Sequence, residues 1–217
     1  MSTNTISKTN KGVNKTAEPA FMSQKIDVLH PVFLKWFAKR FPHCQKVVVF
    51  DKDDTLFSTI NGRRSCHKHL INEVLFGLRR LKPKVVLVMY TSAELDDMQM
   101  DLQLFPEVFA AFDIIITADN YDHPLLKSFC NKGMLKGNPF MLQLRRMSKP
   151  VAEVFAGYPV VLIDDYVGTD WIAAKPGVHG IKAYNFDQDK PANAKMMVKK
   201  LVKQIKQQTL QMQRRRR

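Results

Sequence analysis

KVVVFDKDDTL, residues 46–56, decides the reading: a short run of β-branched and aromatic residues passes directly into a cluster of acids and a threonine. A strand exposed on one face alternates apolar and polar residues, whereas an uninterrupted apolar run marks a strand buried on both faces of a parallel sheet. The same signature returns in KVVLVMY (84–90), FDIIIT (112–117) and PVVLID (159–164), with a shorter strand expected at GIKAY (180–184). Helical spacing is expected between them at 67–81, 94–111 and 139–147, and a polar irregular stretch at 118–138. Strand and helix in alternation imply right-handed crossovers and an α/β protein built on a parallel sheet with helices on both faces.

Outward from this core, residues 28–41 place Val32, Phe33, Trp36 and Phe37 at helical spacing and stop at Pro42. Residues 192–213 form a helix with Met197, Val198, Leu201, Val202 and Ile205 on one face and lysines on the other. Residues 1–24 are rich in Ser, Thr, Asn and Lys, with little to bury, and read as a disordered basic arm. The chain is therefore divided into an arm (1–24), a domain (25–189) and a basic C-terminal helix and tail (190–217).

The 217 residues are 45% hydrophobic and 25% charged, with 9 Gly and 11 Pro, which excludes collagen-like, wholly disordered and disulfide-scaffold classes. The longest apolar run spans seven residues, Val85 to Thr91, far short of the roughly 20 needed to cross a bilayer, so no membrane partner is expected. The N-terminal segment has no apolar stretch for a secretory signal and lacks the arginines of a mitochondrial presequence. Three scattered cysteines, Cys44, Cys66 and Cys130, suit a reducing compartment. An intracellular protein, cytoplasmic or nuclear, is expected, with the mitochondrion left open.

The net charge of +14 is uneven. Residues 190–217 carry ten basic side chains and no acid, residues 1–50 eight basic and two acidic, leaving sixteen basic against eighteen acidic between 51 and 189. Attraction to a polyanion thus belongs to the ends, Arg214 to Arg217 above all, and not to the middle of the chain.

Ligands of such sheets bind beyond the C-terminal ends of the strands. The residues there are Asp51-Lys-Asp53-Asp54-Thr55, Thr91-Ser92 and Asp164-Asp165. Chance supplies an Asp-x-Asp-x-Thr triple about 0.05 times in a chain of this composition. Helix capping would account for acids after one strand, but not for complementary groups after three. Cys66-His67-Lys-His69 lacks a further ligand for zinc and reads as an exposed polar helix start. Cys130 has no adjacent base, which argues against a thiol nucleophile.

Taken together these stretches resemble the haloacid dehalogenase (HAD) superfamily of aspartate-dependent phosphatases: VVVFDKDDTL its first motif, VVLVMYTS its second, Lys149 its third and VVLIDDYVGTD its fourth. Asp54 before the threonine, Tyr-Thr-Ser after the second strand, and fifteen residues from Lys149 to Asp164 are similar to the capless NLI-interacting-factor/C-terminal-domain phosphatases. The resemblance implies a three-layer Rossmann-like fold without a large cap, and a Mg²⁺-dependent phosphomonoesterase working through an aspartyl-phosphate. In that scheme Asp51 is the nucleophile. Asp53 is the acid/base, kept protonated by acidic neighbours and partial burial. Thr91 bonds a phosphoryl oxygen, Lys149 neutralises charge, and Asp54, Thr55 and Ser92 line the substrate. Mg²⁺ is held by Asp51, by the Asp53 carbonyl and by Asp164 or Asp165, between which the pattern does not choose.

Lys52 stands where the superfamily has a less polar residue, aiding phosphate binding or marking a drifted site. Lys127, Lys132 and Lys136 compete with Lys149 for the third motif, and spacing favours Lys149. An uncovered site suits a phosphorylated macromolecule, a phosphoprotein or nucleic-acid end, better than a small metabolite. The competing expectation is an inactive fold retained as a binding or assembly module, anchored to RNA or a ribonucleoprotein by its basic ends.

Overall fold

The computed structural model describes residues 20–21, 28, 31–120, 151–165, 167 and 177–215. Its frame is a parallel sheet whose central strand is the one singled out above. β2 (Lys46–Phe50) pairs with β5 (Val85–Tyr90) on one side and β7 (Val160–Asp164) on the other, and all sixteen residues of these strands are buried. β6 (Ile114–Ile116) and β1 (Ala20–Phe21) continue the sheet beyond β5, and β8 (Val178–Lys182) beyond β7, every pair parallel. The two residues of β1 come from the stretch expected to be disordered, and pair in register with Ile114 and Ile115.

Pleating sends alternate residues to opposite faces, and each face carries its own core. Val48 and Phe50 join Leu87, Met89, Ile115, Val161 and Ile163 in one apolar cluster. Val47 and Val49 join Val86, Val88, Ile114, Ile116, Val160 and Leu162 in the other. The second cluster is closed by α1 (Pro31–Arg40) and α5 (Val151–Val154). Proline opens α1, where its missing N–H costs nothing, and Phe33 and Phe37, one turn apart, pack against Phe155. Val32, expected on the buried face, is 57% exposed; the helix rotates so that the rings, which bury more area, face the sheet.

On the first cluster lies an element that the sequence reading passed over. β3 (Phe57–Ile60) and β4 (Arg63–Cys66) form an antiparallel hairpin closed by Asn61-Gly62, both at positive φ, as a type I′ turn requires. The helix expected at 67–81 follows as a π-helical segment, Leu70–Leu75, continued by α2 (Phe76–Arg79). The helix expected at 94–111 is broken. A 3₁₀ turn, Asp96–Met98, leads into α3 (Gln99–Leu104), and α4 (Pro106–Phe109) starts afresh, because Pro106 has no N–H to donate and pushes Phe105 out of helical geometry. β8 begins two residues before the expected 180. α6 (Pro191–Arg215) docks on the first cluster through Met197 and Leu201. The helix expected at 139–147 lies outside the described residues. Among the described residues no helix is long and apolar enough to cross a membrane.

Candidate functional site

The parallel sheet carries its acids at one end. Asp51 follows β2 and its N–H still donates to Ile163 on β7, 2.9 Å away. Asp164 closes β7 and Asp165 follows it. One carboxylate oxygen from each of Asp51, Asp164 and Asp165 lies within 4.8 Å of the others, with Asp51 and Asp164 buried and Asp165 half-buried. Three hard oxygen donors at this spacing could hold a metal ion. The strand pairing Phe50↔Met89 brings the end of β5 alongside. Thr91, buried there, donates its N–H to Ile116 and accepts a 3.0 Å bond from the Ala93 N–H on its hydroxyl; Ser92 beside it is half-buried.

The loop after Asp51 is tightly wound. The N–H groups of Leu56 and Phe57 both donate to the Lys52 carbonyl, and that of Asp54 to the Phe57 carbonyl at 2.7 Å. Asp54 sits at φ 57°, a region favouring glycine and tolerated by aspartate, and its exposed carboxylate accepts from Ser58. Thr55 is fully buried, and its hydroxyl accepts the Asp165 N–H at 3.1 Å, tying the loop to the second acidic pair. Beneath the loop, His67 donates from Nδ1 to the Thr55 carbonyl at 2.5 Å and stacks on Phe186 at 3.7 Å. Burial pushes this imidazole below its ordinary range. The expected exposed helix start is therefore, at His67, a buried prop for the loop.

Asp53 stands apart from the acidic cluster. Its Oδ1 accepts from Lys52 Nζ at 2.7 Å and from Arg64 Nη2 at 2.6 Å, so its described neighbours are cations where acids were expected. Both cations also hold Asp101, on α3: Arg64 Nε to Oδ1 at 2.6 Å, Arg64 Nη2 to Oδ2 at 2.7 Å and Lys52 Nζ to Oδ2 at 3.0 Å. Burial alone would raise the Asp101 carboxyl, but the bonds from Arg64 and the charge of Lys52 outweigh it and hold it below the usual range. The Asp101 bond in turn raises Arg64. Lys52 and Asp101 are buried almost completely. Sequence reasoning missed Arg64 and Asp101; Asn61-Gly62 is the signal that would have placed Arg64 on a hairpin folded against the loop. Lys149 and its competitors Lys127, Lys132 and Lys136 lie outside the described residues.

Comparison with models of known protein families finds no match, and comparison with curated proteins finds none either.

Proposed function

We propose that the chain is a HAD-type phosphomonoesterase with a three-layer Rossmann-like fold and no large cap, acting through an aspartyl-phosphate on Asp51. The observation that carries this reading is the convergence of Asp51, from the end of β2, with Asp164 and Asp165, from the end of β7. A phosphate monoester is dianionic and resists an anionic nucleophile. Mg²⁺ held by Asp51, by the Asp53 carbonyl and by Asp164 or Asp165 would cancel that repulsion and the charge developing on the phosphoryl group.

The remaining work falls to the protein's own groups. Asp51 attacks phosphorus. Asp53 gives a proton to the leaving oxygen and later takes one from the attacking water; since both of its cations occupy Oδ1, the exchange falls to Oδ2. Thr91 donates its hydroxyl to a phosphoryl oxygen. Lys149 is proposed as the balancing cation, Asp54, Thr55 and Ser92 as the rim of the substrate site. The insertion between the first two motifs holds only the short hairpin and helix, which supports an uncovered site and a macromolecular phosphosubstrate. The exposed Lys195, Lys199, Lys200 and Lys203 on α6, a helix without acids, favour a polyanionic partner such as RNA. The same observation supports the second reading, a binding or assembly module without catalysis.

Hydrolysis of p-nitrophenyl phosphate with and without Mg²⁺, by wild type and Asp51→Asn, separates the two. The substitution is isosteric and removes the nucleophile, so turnover is expected to vanish with the fold intact. Retention of more than about a tenth of wild-type activity would remove the covalent mechanism, and Mg²⁺-independent activity would remove the metal.

A further inference from the structure

The four-residue ion network beside the acidic cluster joins three separate pieces of chain. Lys52 and Asp53 belong to the loop after β2, Arg64 to the hairpin strand β4, and Asp101 to α3. We infer that Asp101, acting through Lys52 and Arg64, positions the Asp53 carboxylate for proton exchange, making these three residues part of the catalytic apparatus without touching the reacting phosphate. The inference rests on the phosphatase reading above.

Three features point to positioning. The first is geometry: Arg64 grips Asp101 with two nitrogens, on two oxygens, a forked contact that fixes orientation as well as distance. Its guanidinium also lies 5.7 Å over the Phe57 ring, which in turn stacks with Phe105 and with Phe109. The donor aimed at Asp53 is therefore held both by the Asp101 carboxylate and by the Phe57 ring. The second is charge. With Asp53 ionised, as it must be to take a proton from the attacking water, two acids and two bases sum to zero, and an incoming phosphate would have to compete with two carboxylates for either cation, so the network is ill suited to binding substrate. The third is burial. Lys52 and Asp101 side chains are 3% exposed, and apolar residues at such positions often serve stability as well or better. What apolar residues cannot supply is two donors converging on one oxygen of Asp53, two residues from the nucleophile.

The test uses the full chain with Mg²⁺ and two substrates, an aryl and an alkyl phosphate, for wild type, Asp101→Asn, Arg64→Lys, Asp53→Asn and the Asp53→Asn/Asp101→Asn double variant. A positioned acid matters most for a poor leaving group. Asp101→Asn is therefore expected to lower kcat about 10- to 100-fold on the alkyl ester and less on the aryl ester, with KM changed by less than about threefold. Added to Asp53→Asn it should have no further effect, because the group it positions is gone. Arg64→Lys keeps the charge and loses the fork, and should behave like Asp101→Asn. Its partly exposed side chain keeps the test available if Asp101→Asn does not fold. Losses that multiply in the double variant, equal losses on both esters, or wild-type kinetics for Arg64→Lys would overturn the inference while leaving the phosphatase reading in place. Absence of hydrolysis by the wild type would overturn that reading, and this inference with it.

Discussion

Replacing Asp164 by asparagine should invert the stability order of two proteins according to whether Mg²⁺ is present. Without metal, three carboxylates face one another within 4.8 Å. At the effective dielectric of about 20 that suits protein sites, two unit charges at that separation repel by about 3.5 kcal/mol. Asp164 has two such neighbours, and solvent and salt screen part of the sum. An isosteric amide is accordingly expected to release about 1–2 kcal/mol, or roughly 2–8 °C in Tm for a chain of this size. With metal the balance turns. An ion at 100 times its dissociation constant stabilises the folded wild type by about 2.7 kcal/mol, whereas a hundredfold loss of affinity leaves the variant about 0.4 kcal/mol. Thermal unfolding in EDTA and across a Mg²⁺ titration, at ionic strength matched with KCl because salt also screens the repulsion, reads both effects. An Asp164→Asn variant less stable than wild type in EDTA, or an equal Mg²⁺ response in both proteins, would refute the metal site.

Burial pushes the Lys46 ammonium down to about 8 from its ordinary 10.5; the unfolded chain then binds the extra proton between those values, so this group's penalty on stability is complete below pH 8 and fades as pH rises to 10.5. Lys46→Met should raise the urea midpoint at pH 7 and lose that advantage near pH 10.5, and an equal gain at both pH values would contradict the burial argument. Phe37, fully buried among Phe33, Phe41, Phe155 and Tyr158, should cost about 3–5 kcal/mol on truncation to alanine by urea denaturation, and a cost below about 1 kcal/mol would mean that α1 does not close the core. Deleting residues 206–217 removes Lys206 and four arginines but spares Ala194, Met197 and Leu201, through which α6 is buried. Hydrolysis of a small aryl phosphate should persist while RNA binding weakens with a shallower salt dependence; loss of hydrolysis in a folded truncation would undo the division into catalytic body and basic end.

The strands were legible because a central parallel strand is the one element whose whole surroundings are written locally. β2, β5 and β7 carry unbroken apolar runs since both faces are covered, and in such sheets ligands bind beyond the C-terminal ends of the strands. β8 is an edge strand containing Gly180 and His179; its register comes from β7, so its pattern alone misplaced it by two residues. The break at Pro106 was readable from the ring chemistry of proline, but the helical spacing on either side of it reads as continuous. At α1, spacing selected four candidates and could not say which way the helix would roll.

The ion network marks the limit of such reading. Asp51 could be found because it follows a strand, and Asp164 and Asp165 for the same reason. Nothing local distinguishes Asp101 among fifteen aspartates, and its partners lie 49 and 37 residues away. Lys52 was conspicuous only as an oddity, a long cation at the mouth of an acidic site. The fold supplies its pairing: the hairpin delivers Arg64 and α3 delivers Asp101, so that Lys52 joins Asp53, Arg64 and Asp101 in one ion network. The sequence left two readings of Lys52, an aid to phosphate binding or the mark of a drifted site; the structure adds its pairing with Asp53 and Asp101. On the proposed phosphatase mechanism its effect is expected in the proton-transfer step, in kcat and leaving-group sensitivity, far more than in substrate affinity.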